Sequence, residues 1–251
     1  MQPPTFADIY DRVVGPDFWD LWWPHFKALT ARHGLTWNSV CDVACGTGEA
    51  LHRLAAPEVR RYGTDQSPDM IRVATAKCPD AHLWVGPMQA LQVPEPVDLL
   101  LCAYDSLNML PTEQALRDTL AGFAAALSPG GHVVCDLATV THLSEDWGTQ
   151  EIHTTADDLE TVWHTVWDPR RWELTVHLTV TVPRPDQGVW LVTERVVERG
   201  FPKAVVDRAI ERAGLTTLDV SDLMSGRPGS DGGRRLVYLL RKPSGVQFSD
   251  A

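Results

Sequence analysis

The run Val40-Cys41-Asp42-Val43-Ala44-Cys45-Gly46-Thr47-Gly48-Glu49 puts two glycines just beyond a short apolar stretch. A buried strand running into Gly-x-Gly lets the backbone turn tightly and approach a ligand closely. Asp65, 17 residues past Gly48 and at the tip of a second β-rich run, is placed to accept hydrogen bonds from a ribose diol. Asp42 lies inside the glycine motif, where a carboxylate suits a loop or a cationic ligand group and repels a pyrophosphate. A dinucleotide fingerprint needs Gly or Ala three residues past the second glycine, and that position is Leu51. The residues therefore favour a nucleoside without phosphates. An NAD-dependent oxidoreductase and a non-catalytic sensor of the same ligand are the alternatives.

Other side chains that could do chemistry are more scattered. Asp105 precedes Ser106 to Met109 at a helix start, as a capping carboxylate or a substrate contact. His25, His142, His153, His164 and His177 fall in segments that would frame an acceptor, each a general base or an ordinary polar residue. Glu194 and Arg195 could meet a substrate, face solvent or form an ion pair. No His/Asp/Glu group has metal-ligand spacing, so no metal is expected. Cys41, Cys45, Cys78, Cys102 and Cys135 are odd in number and include no CxxC pair, which argues against a disulfide framework or a zinc ribbon.

Elements that could hold these groups follow from the periodicity. From 38 to 136, short β-rich runs alternate with helical stretches, the pattern of an α/β fold on a parallel sheet. Strands are expected at 39–43, 59–63, 81–85, 97–102 and 132–136. Ser67 and Pro68 start a helix to Lys77. Thr112 caps another, with Ala115, Leu116, Leu120 and Phe123 on its apolar face and Ser128-Pro129-Gly130-Gly131 as its stop. After Asp136 the period becomes two: runs around Ile152 and over 161–167, 172–182 and 189–199 predict an antiparallel sheet with turns at 168–171 and 183–188. A helix from Pro202 to Gly214 then leads to strands at 216–220 and 235–241, joined by a Gly-rich loop, 225–233, expected to be mobile. Ahead of the first strand, Phe18, Trp22, Phe26 and Leu29 have helical spacing, with His33-Gly34 as the stop and Pro24 kinking or splitting the helix. Residues Pro243 to Ala251 carry no pattern and are expected to fray.

The chain has 251 residues, 44% of them apolar, enough to bury a real core. Lys plus Arg number 22 against 33 Asp plus Glu, and the formal charge of −11 repels phosphate backbones and anionic membranes. No apolar run nears the roughly 20 residues of a bilayer span, and the N-terminus lacks the order of a signal peptide. A cytoplasmic monomer or homodimer acting on a small molecule, with no nucleic-acid or membrane partner, is expected. Ten tryptophans are segregated: Trp19, Trp22, Trp23 and Trp37 precede the first strand, Trp147, Trp163, Trp167, Trp172 and Trp190 follow the fifth, and only Trp84 lies between.

Taken in order, Asp42 to Gly48, Asp65-Gln66-Ser67-Pro68-Asp69-Met70, Asp98 to Asn108 and the Ser-Pro-Gly-Gly turn resemble the motifs of class I S-adenosylmethionine-dependent methyltransferases across residues 38–136. The resemblance implies an α/β fold: a Rossmann-like seven-stranded methyltransferase sheet with a small antiparallel β lid inserted after the fifth strand, similar to the amino-sugar N,N-dimethyltransferases. It implies a helical cap over 1–37, a Rossmann-like domain over 38–149 and 201–243, a lid over 150–200 and a tail over 244–251. S-adenosyl-L-methionine would be the cofactor and S-adenosyl-L-homocysteine the product. Ala44, Gly46 and Gly48, with Asp42 beside them, would line the methionine half. Asp65 would hold the ribose hydroxyls, and Gln66 and Met70 would border the adenine. Gly86-Pro87-Met88-Gln89 lacks the usual acidic partner of the adenine amine, so Gln89 or a backbone group would substitute, with Met88 alongside. Cys102 and Tyr104 would stand at the carboxyl edge of the fourth strand, and Tyr10 would cap the methionine carboxylate or the sulfonium. Tyr10 and Asp105 are the catalytic candidates; Trp22, Trp23, Trp163, His164 and Asn108 are the acceptor-binding ones. The implied reaction is in-line methyl transfer to N, O or C of a small, aromatic or amine-bearing metabolite in natural-product tailoring, led by proximity and desolvation.

Overall fold

The structure, a computed structural model, describes residues 2–244. Two helices, α1 (Phe6–Val13) and α2 (Gly15–Arg32), precede β1 (Ser39–Val43). The chain then alternates through α3 (Glu49–Arg53), β2 (Arg60–Asp65), α4 (Pro68–Lys77), β3 (His82–Val85), β4 (Val97–Cys102), α5 (Glu113–Ala126) and β5 (Leu127–Ala138). Four antiparallel strands follow, β6 (Gln150–Ala156), β7 (Leu159–Asp168), β8 (Glu173–Pro183) and β9 (Val189–Arg199). The chain returns through α6 (Lys203–Arg212) to β10 (Thr216–Asp222) and β11 (Arg235–Arg241).

The seven-stranded sheet has the order β10-β11-β5-β4-β1-β2-β3. β1 to β5 run parallel, and β11 is antiparallel to both its neighbours. β1 is flanked by β2 on one side and β4 on the other, so strand order reverses there and a crevice opens at the carboxyl ends. One face of the sheet packs Leu116, Phe123 and Ile210 against Leu100 and Tyr238; the other packs Phe18, Trp22, Phe26 and Leu29 of α2 with Leu51. Leu51 is fully buried. It fits because Gly63 leaves room: a Cβ there would come within 2.7 Å of Leu51 Cδ1.

The lid follows its period-two pattern. On β8, Leu174, Val176, Leu178, Val180 and Val182 are buried in alternation. That face meets Ile9 of α1 at one end and Leu143 at the other.

Several local features differ from the sequence reading. α2 runs unbroken through Pro24, and both Pro24 and Asp20, whose carbonyl loses its helical donor to the proline, are exposed residues. Ser128 to Gly131 does not stop the helix in a free turn. It bulges within β5, whose pairing with β4 jumps from Val97↔Leu127 to Leu99↔His132. A turn of π-helix over His142–Trp147, not foreseen, leads into the lid. The 225–233 loop is tied down: Asp222 accepts bonds from Ser225 Oγ and the Arg234 and Arg235 amides, and Asp231 accepts from the Lys203 amide and Thr141 Oγ1. Of the tail expected to fray, residues 245–251 lie outside the described residues. Among the described residues, no helix is long and apolar enough to cross a membrane.

Candidate active site

A cavity of about 520 Å³ opens at the carboxyl ends of β1, β2 and β4, roofed by α1 and β9. Its floor is the turn after β1, where Ala44, Gly46 and Gly48 have φ of 59°, 53° and 82°. The two glycines do different work. A Cβ on Gly46, which lines the cavity, would meet no protein atom within 4 Å, so the missing side chain leaves space for a ligand. A Cβ on Gly48 would stand 3.1 Å from Ala74 Cβ, so Gly48 lets α4 pack and is not part of the cavity wall.

Asp65 ends β2 and is fixed by two amides: Gly46 N–H donates to Oδ2 at 3.0 Å and Ser67 N–H to Oδ1 at 2.8 Å. Each oxygen keeps acceptor capacity for a ligand hydroxyl. Burial raises the Asp65 pKa while the two amide bonds oppose it. Asp42 behind it is pushed up to about 8, by burial first and by Asp65 second.

Beyond β4, Tyr104 and Asp105 both adopt left-handed φ, 61° and 58°, a strained choice for non-glycine residues. Asp136, at the far end of the Val133-Val134-Cys135 run in β5, stabilises that turn. Its Oδ2 accepts from Tyr104 N–H at 2.8 Å, and its Oδ1 accepts from Asp105 N–H at 3.0 Å and from Arg235 of β11 at 3.0 Å. Arg235 also pairs with Asp105. Its guanidinium lies over the stacked rings of Phe18 and Tyr104, at 5.2 and 5.6 Å. The Tyr104 hydroxyl donates to Val14 O at 2.7 Å, so the ring is held at both ends. Burial raises the pKa of Asp136 against the pull of Arg235, and burial with Asp105 raises that of Glu198 on β9.

The roof is latched by ions. Asp11 accepts from Thr47 Oγ1 of the glycine turn and from Lys77 Nζ of α4, and Asp8 pairs with Arg72 at 2.6 Å. On the other side Arg12 pairs with Asp158 in the turn between β6 and β7. α1 thereby brings Phe6, Ala7 and Tyr10 to the cavity wall. Burial, with Tyr104 and nearby carboxylates adding to it, holds the Tyr10 phenol well above its usual pKa. At neutral pH that hydroxyl can donate a hydrogen bond but cannot serve as a base.

Of the twelve residues expected around a cofactor, Tyr10, Asp42, Ala44, Gly46, Asp65, Gln66, Met70, Met88, Gln89 and Tyr104 line this one cavity. Gly48 and Cys102 do not, Cys102 being fully buried in the core. The acceptor-side expectations need correction. Trp22 is 1% exposed on the face of α2 that packs on the sheet, and Trp23 stacks on Phe26 with Arg53 over it. Trp163 packs against Trp147 inside the lid and donates its indole N–H to Thr161 at 3.0 Å. His164 stands beside Glu151 and His177 on the lid's outer face. Asn108, wholly buried, clamps backbone: its Nδ2 donates to Ala138 O and Arg199 O, and its Oδ1 accepts from Ala138 N–H. Asp105 is absent from the wall, held by Arg235. No histidine lines the cavity among the described residues.

Trp19 was missed. It lies about 60° round α2 from Trp22, at the edge of the buried stripe, and is the one tryptophan on the wall among the described residues. Asp136 was legible only as a carboxylate ending an apolar strand, a costly placement without partners. Ser106, Met109 and Leu110, just past Tyr104, and Glu194 to Val197 of β9 complete the cavity wall.

The donor set suits a nucleoside that carries positive charge. Glu49, Asp65, Asp69 and Glu194 line the cavity with Asp42, itself pushed up to about 8, and among the described residues Arg195 is the one basic residue on the wall, its strand position facing away from the inward row. A pyrophosphate would meet repulsion on such a wall.

Sheet order, glycine turn and acidic strand tip together define a Rossmann-like nucleoside-binding enzyme fold closed by a β lid. Comparison with known proteins narrows this. Residues 40–131 match the family described as Methyltransferase domain. The chain is 30% identical over 242 residues to dTDP-3-amino-3,6-dideoxy-alpha-D-glucopyranose N,N-dimethyltransferase from Streptomyces fradiae, covering 90% of this chain and 88% of the relative. Its fold is similar to that of an S-adenosylmethionine-dependent methyltransferase from Clostridium acetobutylicum, with TM-score 0.85 and 20% identity over 95% of this chain and 98% of the other. It also resembles DesVI from Streptomyces venezuelae, with TM-score 0.76 and 24% identity over 96% and 100%. The chain belongs to the class I S-adenosylmethionine-dependent methyltransferases and is similar to their amino-sugar N,N-dimethyltransferases.

Proposed function

We propose that this protein transfers the methyl group of S-adenosylmethionine to the nitrogen of a small amine-bearing metabolite. The observation that carries the reading is Asp65, held by the Gly46 and Ser67 amides at the cavity floor with free lone pairs facing the ligand space. That arrangement suits a ribose diol, and the acidic wall suits a sulfonium and an ammonium. When bound, the cofactor would supply an electrophilic methyl group.

The chain's own residues do the rest. Asp65 would accept from the ribose hydroxyls. Ala44 and Gly46 would let the backbone approach the methionine half, and Gln66, Met70, Met88 and Gln89 would border the adenine. Tyr10 would donate from above, while α1 and β9 exclude water. Tyr104, its ring fixed by Phe18, Arg235 and Val14, gives the acceptor a rigid wall, so the nucleophile meets the methyl group in one geometry. No histidine stands on the wall to act as a base among the described residues, and Glu198, a buried carboxylate close enough to Tyr104 to raise its pKa, is not on the wall. A neutral amine needs none, whereas a phenol or a carbon does, which supports nitrogen as the accepting atom. The name of the Streptomyces fradiae relative supports it as well.

Calorimetry with S-adenosylhomocysteine and methyl transfer to a panel of amines, phenols and carbon acceptors test the proposal. Saturable binding with methylation of an amine is expected. Binding without turnover on any acceptor would indicate a sensor, and absence of binding would refute the cofactor assignment.

A further inference from the structure

β9 carries a side chain that the fold does not require. Its residues alternate, and Val192, Glu194 and Val196 lie opposite Val180, Leu178 and Val176 of β8. Those β8 residues are buried on the face that packs toward α1 and the main sheet. Glu194 and Glu198, the latter opposite Leu174, are therefore the two carboxylates of this inward row, and of the two only Glu194 lines the cavity. Among the described residues no ion pair reaches it. The hydrogen bond it accepts is from the neighbouring Arg195 amide at 3.2 Å. Arg195 itself lies opposite His177 on the other face of the strand and is exposed. A valine at 194 would continue the apolar run of Val192 and Val196, and a partly buried carboxylate without a counter-charge costs stability.

We infer that Glu194 is the acceptor-recognition residue, holding the ammonium group of the substrate by a charge-assisted hydrogen bond until the nitrogen releases one proton to water and its freed lone pair can attack the methyl carbon as the carbon–sulfur bond breaks. The inference rests on the reading of this chain as an amine methyltransferase and adds to it the residue that distinguishes an amine from its hydroxyl counterpart. A carboxylate attracts an ammonium and gives a neutral hydroxyl only an ordinary acceptor. Glu194 also comes from the lid and Asp65 from the main sheet, so acceptor and cofactor selection reside on different parts of the fold. A change at 194 should leave the cofactor site intact.

The test uses the full chain and its E194Q variant, isosteric but uncharged, with tyramine within a panel of amines that carry no phosphate. Hydroxyl counterparts of these amines serve as competitive inhibitors, and S-adenosylhomocysteine calorimetry reports on folding and the cofactor site. E194Q should raise KM for the methylated amine about tenfold or more, with kcat and the inhibition constants of the hydroxyl counterparts nearly unchanged. E194D should recover part of the loss. An unchanged KM, or equal shifts for amines and hydroxyl counterparts, overturns the assignment. If the wild-type chain methylates phenols or carbon acceptors and no amine, the underlying reading falls and this inference with it, a failure visible before any variant is made.

Discussion

Asp42 and Asp65 stand close together and behave differently because their partners differ. Asp65 has two amide donors; Asp42 is buried with a second carboxylate beside it and is pushed up to about 8. Since the folded chain holds a proton on Asp42 that the unfolded chain releases near pH 4, stability declines as pH rises from about 4 and levels off above about 8. D42N removes this titration. Chemical denaturation from pH 5 to 9 should show wild type losing stability relative to D42N up to about pH 8 and running parallel to it above; parallel curves throughout would contradict the assignment. D65A should weaken S-adenosylhomocysteine binding by about tenfold to a hundredfold, the cost of losing hydrogen bonds to a charged acceptor, with the fold retained. Wild-type affinity in D65A would remove Asp65 from the site.

At the scale of elements, α2 shows how one helix separates core from wall. Trp22 and Trp19 are three residues apart, yet Trp22 fills the core while Trp19 reaches the cavity. W22A should cost about 3–5 kcal/mol of unfolding free energy, as buried aromatic truncations do. W19A should cost little stability and weaken ligand binding; the reverse order would show α2 rotated about its axis, with Trp19 in the core and Trp22 on the wall. α1 is a roof held by pairs to α4, the glycine turn and the lid. These pairs are partly exposed, so each contributes modestly and is screened by salt. K77A or R12A should speed S-adenosylhomocysteine release about two- to fivefold at low salt, and 0.5 M salt should narrow the difference. Stopped-flow release rates insensitive to both changes would mean α1 does not gate the site.

For the whole molecule, what could be read in the sequence was what local chemistry dictates. The strand-Gly-x-Gly turn, the acidic tip of β2, the Ser67 cap and the period-two lid each depend on neighbours in sequence, and each stands where periodicity put it. The acceptor end was not legible, because it is made by strands that meet only in three dimensions. Trp22, Trp163, Asn108 and Asp105 were plausible by type and segment, but their partners are Phe26, Thr161, Ala138 and Arg235. Asn108 and Ala138 are 30 residues apart, Asp105 and Arg235 130. Glu194 and Arg195 could each meet a substrate, face solvent or form an ion pair by sequence, and only the register on β9 separates them by putting Glu194 on the inner face.

The central claim is that one cavity holds S-adenosylmethionine on Asp65 and delivers its methyl group to nitrogen. The most direct measurement is transfer from methyl-labelled S-adenosylmethionine to an acceptor panel by wild type and D65A, with products located by mass spectrometry. The account predicts label on the nitrogen of an amine, with transfer strongly reduced in D65A. Label on oxygen or carbon alone, or undiminished transfer by D65A, would contradict it.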